Sequence, residues 1–319
     1  MDEEVDEEVD EEELLAIVQR LVWHDATGPL ECRQDGHQAG HVCLPASGDI
    51  AYAALTAKLG DWFGPPRGLV GHGRIDPAAT GAYGRPLLAP FGEELVEMVV
   101  WAYAGRWIGS GATSTDDGLQ PVVVIAARPD PAAGGVPEDA SWVERVAAVT
   151  GWEPGRRPQT VDWAAVERRL GTALPGDYKH LAEIFGHGAF DGYLELSVPD
   201  APFAHADLVR QSESLASFAR THGNGQWEPH SLFPAPGGLL QWAASEQADR
   251  FYWLTDGPDP DKWPIVMSED IPDSWEQYDG STAEFVYRML TDRQHPFSIA
   301  RHFDIHWFQS YARGEAAGG

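Results

Sequence analysis

Residues 163–196 read WAAVERRLGTALPGDYKHLAEIFGHGAFDGYLEL. Three elements can be read from this stretch. Trp163, Val166 and Leu170 recur at helical spacing behind Asp162, a good N-cap residue. Pro175 pre-sets the backbone for a second helix over 177–185, with Asp177 as a capping residue and Gly186 as its stop. In 192–198, Tyr193, Glu195 and Ser197 alternate with Leu194, Leu196 and Val198, the pattern of a half-buried strand. Gly186 and Gly188 suit a turn that needs positive φ.

The pattern continues towards the C-terminus. A helix is expected over 206–221, then strands at 238–244, 250–255, 264–268 and 274–278. Ser281, with Glu284 three residues on, forms a capping box for a closing helix over 281–290. Helices, then antiparallel strands, then a helix indicate an α+β fold rather than the strict alternation of a parallel sheet.

The order of these features resembles the SMI1/KNR4 (SUKH) superfamily. The resemblance is carried by the Trp-Val-Glu helix, Leu174-Pro175-Gly176-Asp177-Tyr178 and the Phe185-Gly186-His187-Gly188 turn. It continues through LLQWAASEQADRFYWLTDGPDPDKWPIVMSED (239–270), with its Thr255-Asp256-Gly257 turn, and SWEQYDGSTAEFVYRML (274–290). It covers about two fifths of the chain, and it is the order of the motifs that carries it. The resemblance implies an antiparallel sheet flanked by helices and a non-enzymatic, protein-binding role. Bacterial members are known as immunity proteins that bind and occlude toxins, many of them nucleases. Fungal relatives are linked to cell-wall regulation. The family has no conserved catalytic constellation.

Outward from this region, residues 129–137 (PDPAAGGVP) are a linker by composition. A short helix follows over 141–149, and a Pro/Gly break at 153–158. The expected organisation is an acidic tail at 1–13, an N-terminal α+β domain of unknown family at 14–130, and a linker region at 131–160. The SUKH-like domain then covers 161–291, followed by an extension at 292–319. In the N-terminal part, Leu14, Ile17, Val18, Leu21 and Val22 predict a helix ending near Trp23, and 50–63 a second one stopped by Gly64-Pro65-Pro66. Residues 97–108 and 120–127 read as two strands around a polar turn holding Asp116, Asp117 and Gly118.

The chain has 319 residues, 43% hydrophobic and 11% aromatic, enough to bury real cores despite a formal net charge of -28. The first 140 residues hold 8 basic against 24 acidic residues and the remainder 14 against 26, so both halves are acidic. Ten of the twelve residues in 2–13 are acidic, a run expected to stay solvated. Such a field repels nucleic acid and anionic lipid and steers a basic protein inward. No signal peptide and no apolar run near the roughly 20 residues that span a bilayer are visible, so the cytoplasm is the expected compartment.

Candidate sites are few. Trp253 and Trp263, beside Asp256, Asp259 and Asp261, would give a basic partner protein aromatic anchors ringed by acid. Cys32, His37, His41 and Cys43 bring four zinc-ligand types into twelve residues, and a Gly-rich N-terminal half could use such a staple. Their spacing differs from that of known fingers, so the sequence favours a polar loop and no cofactor. His302 and His306, with His295 upstream, would share a helix face, but no Glu follows the first His as HExxH requires. The glycines of 105–111 lack the Gly-Lys-Ser/Thr ending of a phosphate loop and read as strand-end turns. A second reading makes the N-terminal half a small enzyme or ligand-binding domain, with the SUKH-like half as a targeting module. A deep polar pocket with His and carboxylates converging in 24–128 would favour it.

Overall fold

The structure, a computed structural model, describes residues 10–24, 28–34, 37, 39–47, 50–64, 66–71, 74–75, 85–103, 105–116, 118–128, 130–152, 160–268, 275–303 and 305–311. The expected acidic tail before position 10 and the break at 153–158 lie outside the described residues. The fold is mixed helix and antiparallel sheet. The chain divides into two compact units, with the break after Asp130.

In the first unit, α1 (Glu11–Gln19) starts at Asp10, whose Oδ1 accepts from the Glu13 N–H at 2.9 Å, and it runs on through a π-helical turn, Arg20–His24. The last acidic residues of the run therefore enter the helix at its positive end. The strands are β1 (His41–Pro45), β2 (Arg67–Gly71), β3 (Arg74–Ile75), β4 (Leu95–Tyr103), β5 (Arg106–Thr115) and β6 (Gly118–Ala127). They form one antiparallel sheet in the order β1-β6-β5-β4-β2-β3. α1 and α2 (Tyr52–Phe63) bury Leu14, Val18, Leu55 and Leu59 against Leu44, Ile108, Val123 and Ile125. A short helix, α3 (Arg85–Leu88), supplies buried Leu87.

The two-strand reading of 97–127 is corrected to three strands. The first run reverses between Tyr103 and Arg106, and 109–115 continue as strand instead of forming turns. Gly109 and Gly111 lie within β5 because β4 passes close by. A Cβ on Gly111 would stand 2.7 Å from the Glu97 carbonyl oxygen, and one on Gly109 3.0 Å from Met98 Sδ.

The second unit begins earlier than its resemblance does. α4 (Trp142–Thr150) is capped by a full Ser141/Glu144 capping box and packs on α6 (Gly176–Phe185) and α8 (Thr282–Thr291). Trp152 stacks on Phe185. Residues 131–160 are thus not simply a linker. α5 (Trp163–Leu170) precedes α6, and α7 (Leu208–His222) lies between β8 and β9 in sequence. The strands are β7 (Gly188–Phe190), β8 (Leu194–Leu196), β9 (Leu239–Ser245), β10 (Arg250–Leu254), β11 (Ile265–Ser268), β12 (Trp275–Tyr278) and β13 (Phe308–Ser310). They form an antiparallel sheet in the order β12-β11-β10-β9-β8-β7-β13.

One sheet face carries an aromatic core. Trp242 stacks on Trp253, Tyr178 meets Trp253 edge-on, and Phe285 of α8 packs on Trp242 and Phe251. A smaller cluster of Trp227, Leu232, Leu239, Tyr252 and Val266 covers part of the other face. Residues 292–311 are integral to the unit, because β13 completes the sheet edge. Gly186 has φ 70, as its helix-stopping role requires, but Gly188 answers to a different constraint. A Cβ there would overlap β13, colliding with the Gln309 carbonyl and the Phe308 ring. Asp177 does not cap its own helix. Its Oδ2 accepts from the Ala283 N–H at 2.6 Å, at the start of α8.

Candidate functional site

The proposed anchors of the 253–263 loop divide by burial. Trp253 is 1% exposed, lies in the aromatic core and donates from Nε1 to Thr282 Oγ1 at 3.0 Å. Trp263 is 5% exposed and donates to the Gly257 carbonyl at 3.1 Å. Neither is a surface anchor. Both rings satisfy their N–H inside the fold, which lets an amphipathic side chain bury completely. Asp261 Oδ1 accepts from the Gly176 N–H at 2.6 Å and ties the loop to the start of α6. Asp259 pairs with Lys262 at 2.8 Å, and that ammonium holds its carboxyl below the usual range. Asp256 is exposed and free of such structural duty in the bonds described.

The better candidate surface is a groove of about 310 Å³ beside β8 and β9. Strand alternation sets it up. Leu194 and Leu196 point into the core, so Glu195 points out, and Gln241 likewise lies between Leu240 and Trp242. Gln211 from α7, His205 from the preceding loop, and Glu246 and Arg250 at the β9–β10 hairpin complete the lining. The hairpin is locked. Tyr193 Oη and Ser245 Oγ both donate to Asp249 Oδ2 at 2.7 Å, and the Asp249 and Gln247 N–H groups donate back to Ser245 Oγ. Burial and the adjacent Asp249 carboxylate raise the Tyr193 phenol, which keeps it a donor. Glu195 is held by His187 Nε2 at 2.9 Å. Beside the groove, Phe203 is 57% exposed and stacks flat on His205 at 5.6 Å. The sequence signal for Glu195 and Gln241 was the alternation itself. Phe203 and His205 have no local signature.

In the first unit, all four Cys/His residues come together. His41 and Cys43 are two apart on β1 and share the sheet face opposite Val42 and Leu44, which pack on the α1/α2 core. The preceding loop brings Cys32 and His37 over them, with His37 edge-on to Phe91. His37 Nδ1 stands 3.3 Å from Cys32 Sγ, 3.4 Å from His41 Nε2 and 3.5 Å from Cys43 Sγ. All four ligating atoms lie within 4.8 Å of one another, and both cysteines are free of disulfide. Burial, and then the neighbouring His37, lowers the His41 pKa; burial and the neighbouring Cys32 raise that of Cys43. The spacing of these four residues differs from that of known zinc fingers, with their separated Cys and His pairs, for a structural reason. A strand plus a returning loop gives a different spacing.

His302 and His306 do not share a helix face. His302 is exposed, while His306 is buried, with Nδ1 2.6 Å from Asp191 Oδ2. His295 is buried against Phe285 and Tyr278. A groove of about 580 Å³ in the first unit is lined by Tyr52, Ala53, Thr56, Ala57, Gly60, Gly64 and Pro66, with no histidine or carboxylate among the described residues. Elsewhere in this unit, exposed Trp23 and Tyr103 cluster with Trp62 and Phe63, a patch the sequence did not single out. Among the described residues, no helix is long and apolar enough to cross a membrane. No family model, curated protein or solved structure matches this chain.

Proposed function

We propose that residues 161–291, within the second unit, are a SUKH-type module that binds another protein, and that the chain acts as an immunity protein occluding a basic, nuclease-type toxin domain rather than as a catalyst. The groove beside β8 and β9 carries this reading. Its Glu195, Gln241 and Ser245 are fixed by neighbours before any partner arrives, so little ordering is left to oppose binding. Phe203 supplies an exposed aromatic at its edge, and interfaces favour such rings. The net charge of -28 would steer a basic partner to the molecule and repel nucleic acid and anionic lipid. The succession of α5, α6, the β7–β8 hairpin, α7, β9 to β12 and α8 agrees with the element order on which the resemblance rests. Residues 14–130 are read as a separate domain, with the cytoplasm as the place of action.

The test compares the tagged full chain with its Phe203→Ala/Glu246→Lys variant in capture from the cells that make it. One basic protein retained in stoichiometric amount by the parent, and lost by a folded variant, is expected. Equal retention by both would move the interface elsewhere.

A further inference from the structure

We propose that Cys32, His37, His41 and Cys43 form a structural zinc site that fastens the 28–40 loop to the edge of the first unit's sheet. The argument starts from ligand-to-ligand distances. With Zn–S of about 2.3 Å and Zn–N of about 2.0–2.1 Å, a tetrahedral Cys2His2 site has N···N edges of about 3.3 Å and mixed S···N edges of about 3.5 Å. The three separations from His37 Nδ1, 3.4 Å to nitrogen and 3.3 and 3.5 Å to the two sulfurs, match those edges. Two thiols and two imidazoles converging on one point have little to gain from each other without a cation between them. A disulfide would need only the two sulfurs and would leave the histidines unexplained.

The ligand set selects the metal. Two thiolates and two imidazoles in tetrahedral array suit zinc. On binding, each thiol gives its proton to solvent, and two thiolates cancel the dication's charge. The resulting neutral centre can sit where His41 and Cys43 are buried. All four positions are filled by protein, the closed arrangement of a structural site rather than a catalytic one.

The location says what the metal holds. β1 is the edge strand and pairs only with β6 in the sheet order. Two backbone bonds already hold the loop: Gly40 N–H donates to the Leu30 carbonyl at 2.9 Å, within the loop, and Ala127 N–H, at the end of β6, donates to the Gly40 carbonyl at 3.0 Å. Arg106 also donates to the Gly28 carbonyl at 2.5 Å. Leu30 from this loop is buried in the α1/α2 core. A metal joining Cys32 and His37 to His41 and Cys43 would therefore fix the loop that carries Leu30.

The test uses the full chain, purified without chelator. Elemental analysis is expected to give one zinc per chain. Replacement with cobalt(II) should give the intense visible bands of a tetrahedral ion with two thiolate ligands. Both cysteines should resist a thiol reagent until a strong chelator is added. Cys32→Ser and His37→Gln alter the two less buried ligands and should abolish stoichiometric zinc and the cobalt spectrum. Should either variant fail to fold, the cobalt spectrum of the parent chain decides alone. Substoichiometric zinc with no cobalt spectrum, or a Cys32–Cys43 disulfide in the purified protein, would overturn the proposal.

Discussion

Replacing Asp191 by alanine should destabilise the second unit more than any exposed carboxylate can. Asp191 sits in the β7–β8 turn with φ 51, a left-handed conformation that Asp tolerates better than most side chains. Its Oδ2 lies 2.6 Å from His306 Nδ1, and its Oδ1 accepts from the Trp307 N–H at 3.0 Å. The two paired side chains are 3% and 7% exposed. The variant leaves His306 Nδ1 without this buried hydrogen bond, about 1–3 kcal/mol, with a further ~1 kcal/mol for the Trp307 N–H. Together the two lost hydrogen bonds come to about 2–4 kcal/mol. Asp191→Asn keeps an acceptor for Trp307 and the turn conformation, so it should cost less. Asp191→Gly relieves the backbone but loses both bonds, so it should fall between the other two. Urea unfolding followed by tryptophan fluorescence ranks the three. An Asp191→Ala midpoint equal to that of the parent, or an Asn variant as damaged as the Ala one, would refute the reasoning.

Two further outcomes are expected. Burial drives the His295 pKa down to about 4, with Arg301 pushing the same way and Asp292 opposing. The unfolded chain takes up that proton near the ordinary 6.5, so its contribution is full above about 6.5 and is lost as pH falls towards 4. A pH series of urea midpoints should show this acid limb weakened in His295→Phe, and an unchanged slope would exclude His295 as its source. In β5, Gly111→Ala meets the Glu97 backbone and should cost about 1–3 kcal/mol, whereas Gly109→Ala meets side chains alone, flexible Met98 and, at ordinary contact distance, Leu87, and should cost less. Thermal unfolding of the pair checks the order, and a reversed order would count against the close strand approach.

The helices and strands of the second unit were legible because each begins or ends on a residue with a local reason. Asp162 bonds the Ala165 N–H, Ser281 bonds the Glu284 N–H, and Gly186 takes positive φ. What one sequence could not show was the long-range use of the same residue types. Asp177 and Asp261 look like local caps or surface acids, yet they serve helix starts 106 and 85 residues away. Gly188 and Gly111 look like turn residues, yet they make room for neighbouring strands. Trp253 was legible as a strand residue open to either a core or a surface role, and α8 covering that sheet face decides for the core. The Cys/His cluster was visible as composition, and its convergence depends on a loop folding back over β1. The groove depends on α7 and the β9–β10 hairpin meeting the same sheet face.

The central claim is that this acidic chain captures a basic protein. It is tested most directly by affinity capture of the tagged chain from its own cells at low and high salt, with mass spectrometry of what is retained. The account predicts one basic toxin-like protein in stoichiometric amount, released as salt rises and the acidic field is screened. Recovery of no stoichiometric partner in repeated trials, including stressed and competing cultures, would contradict it.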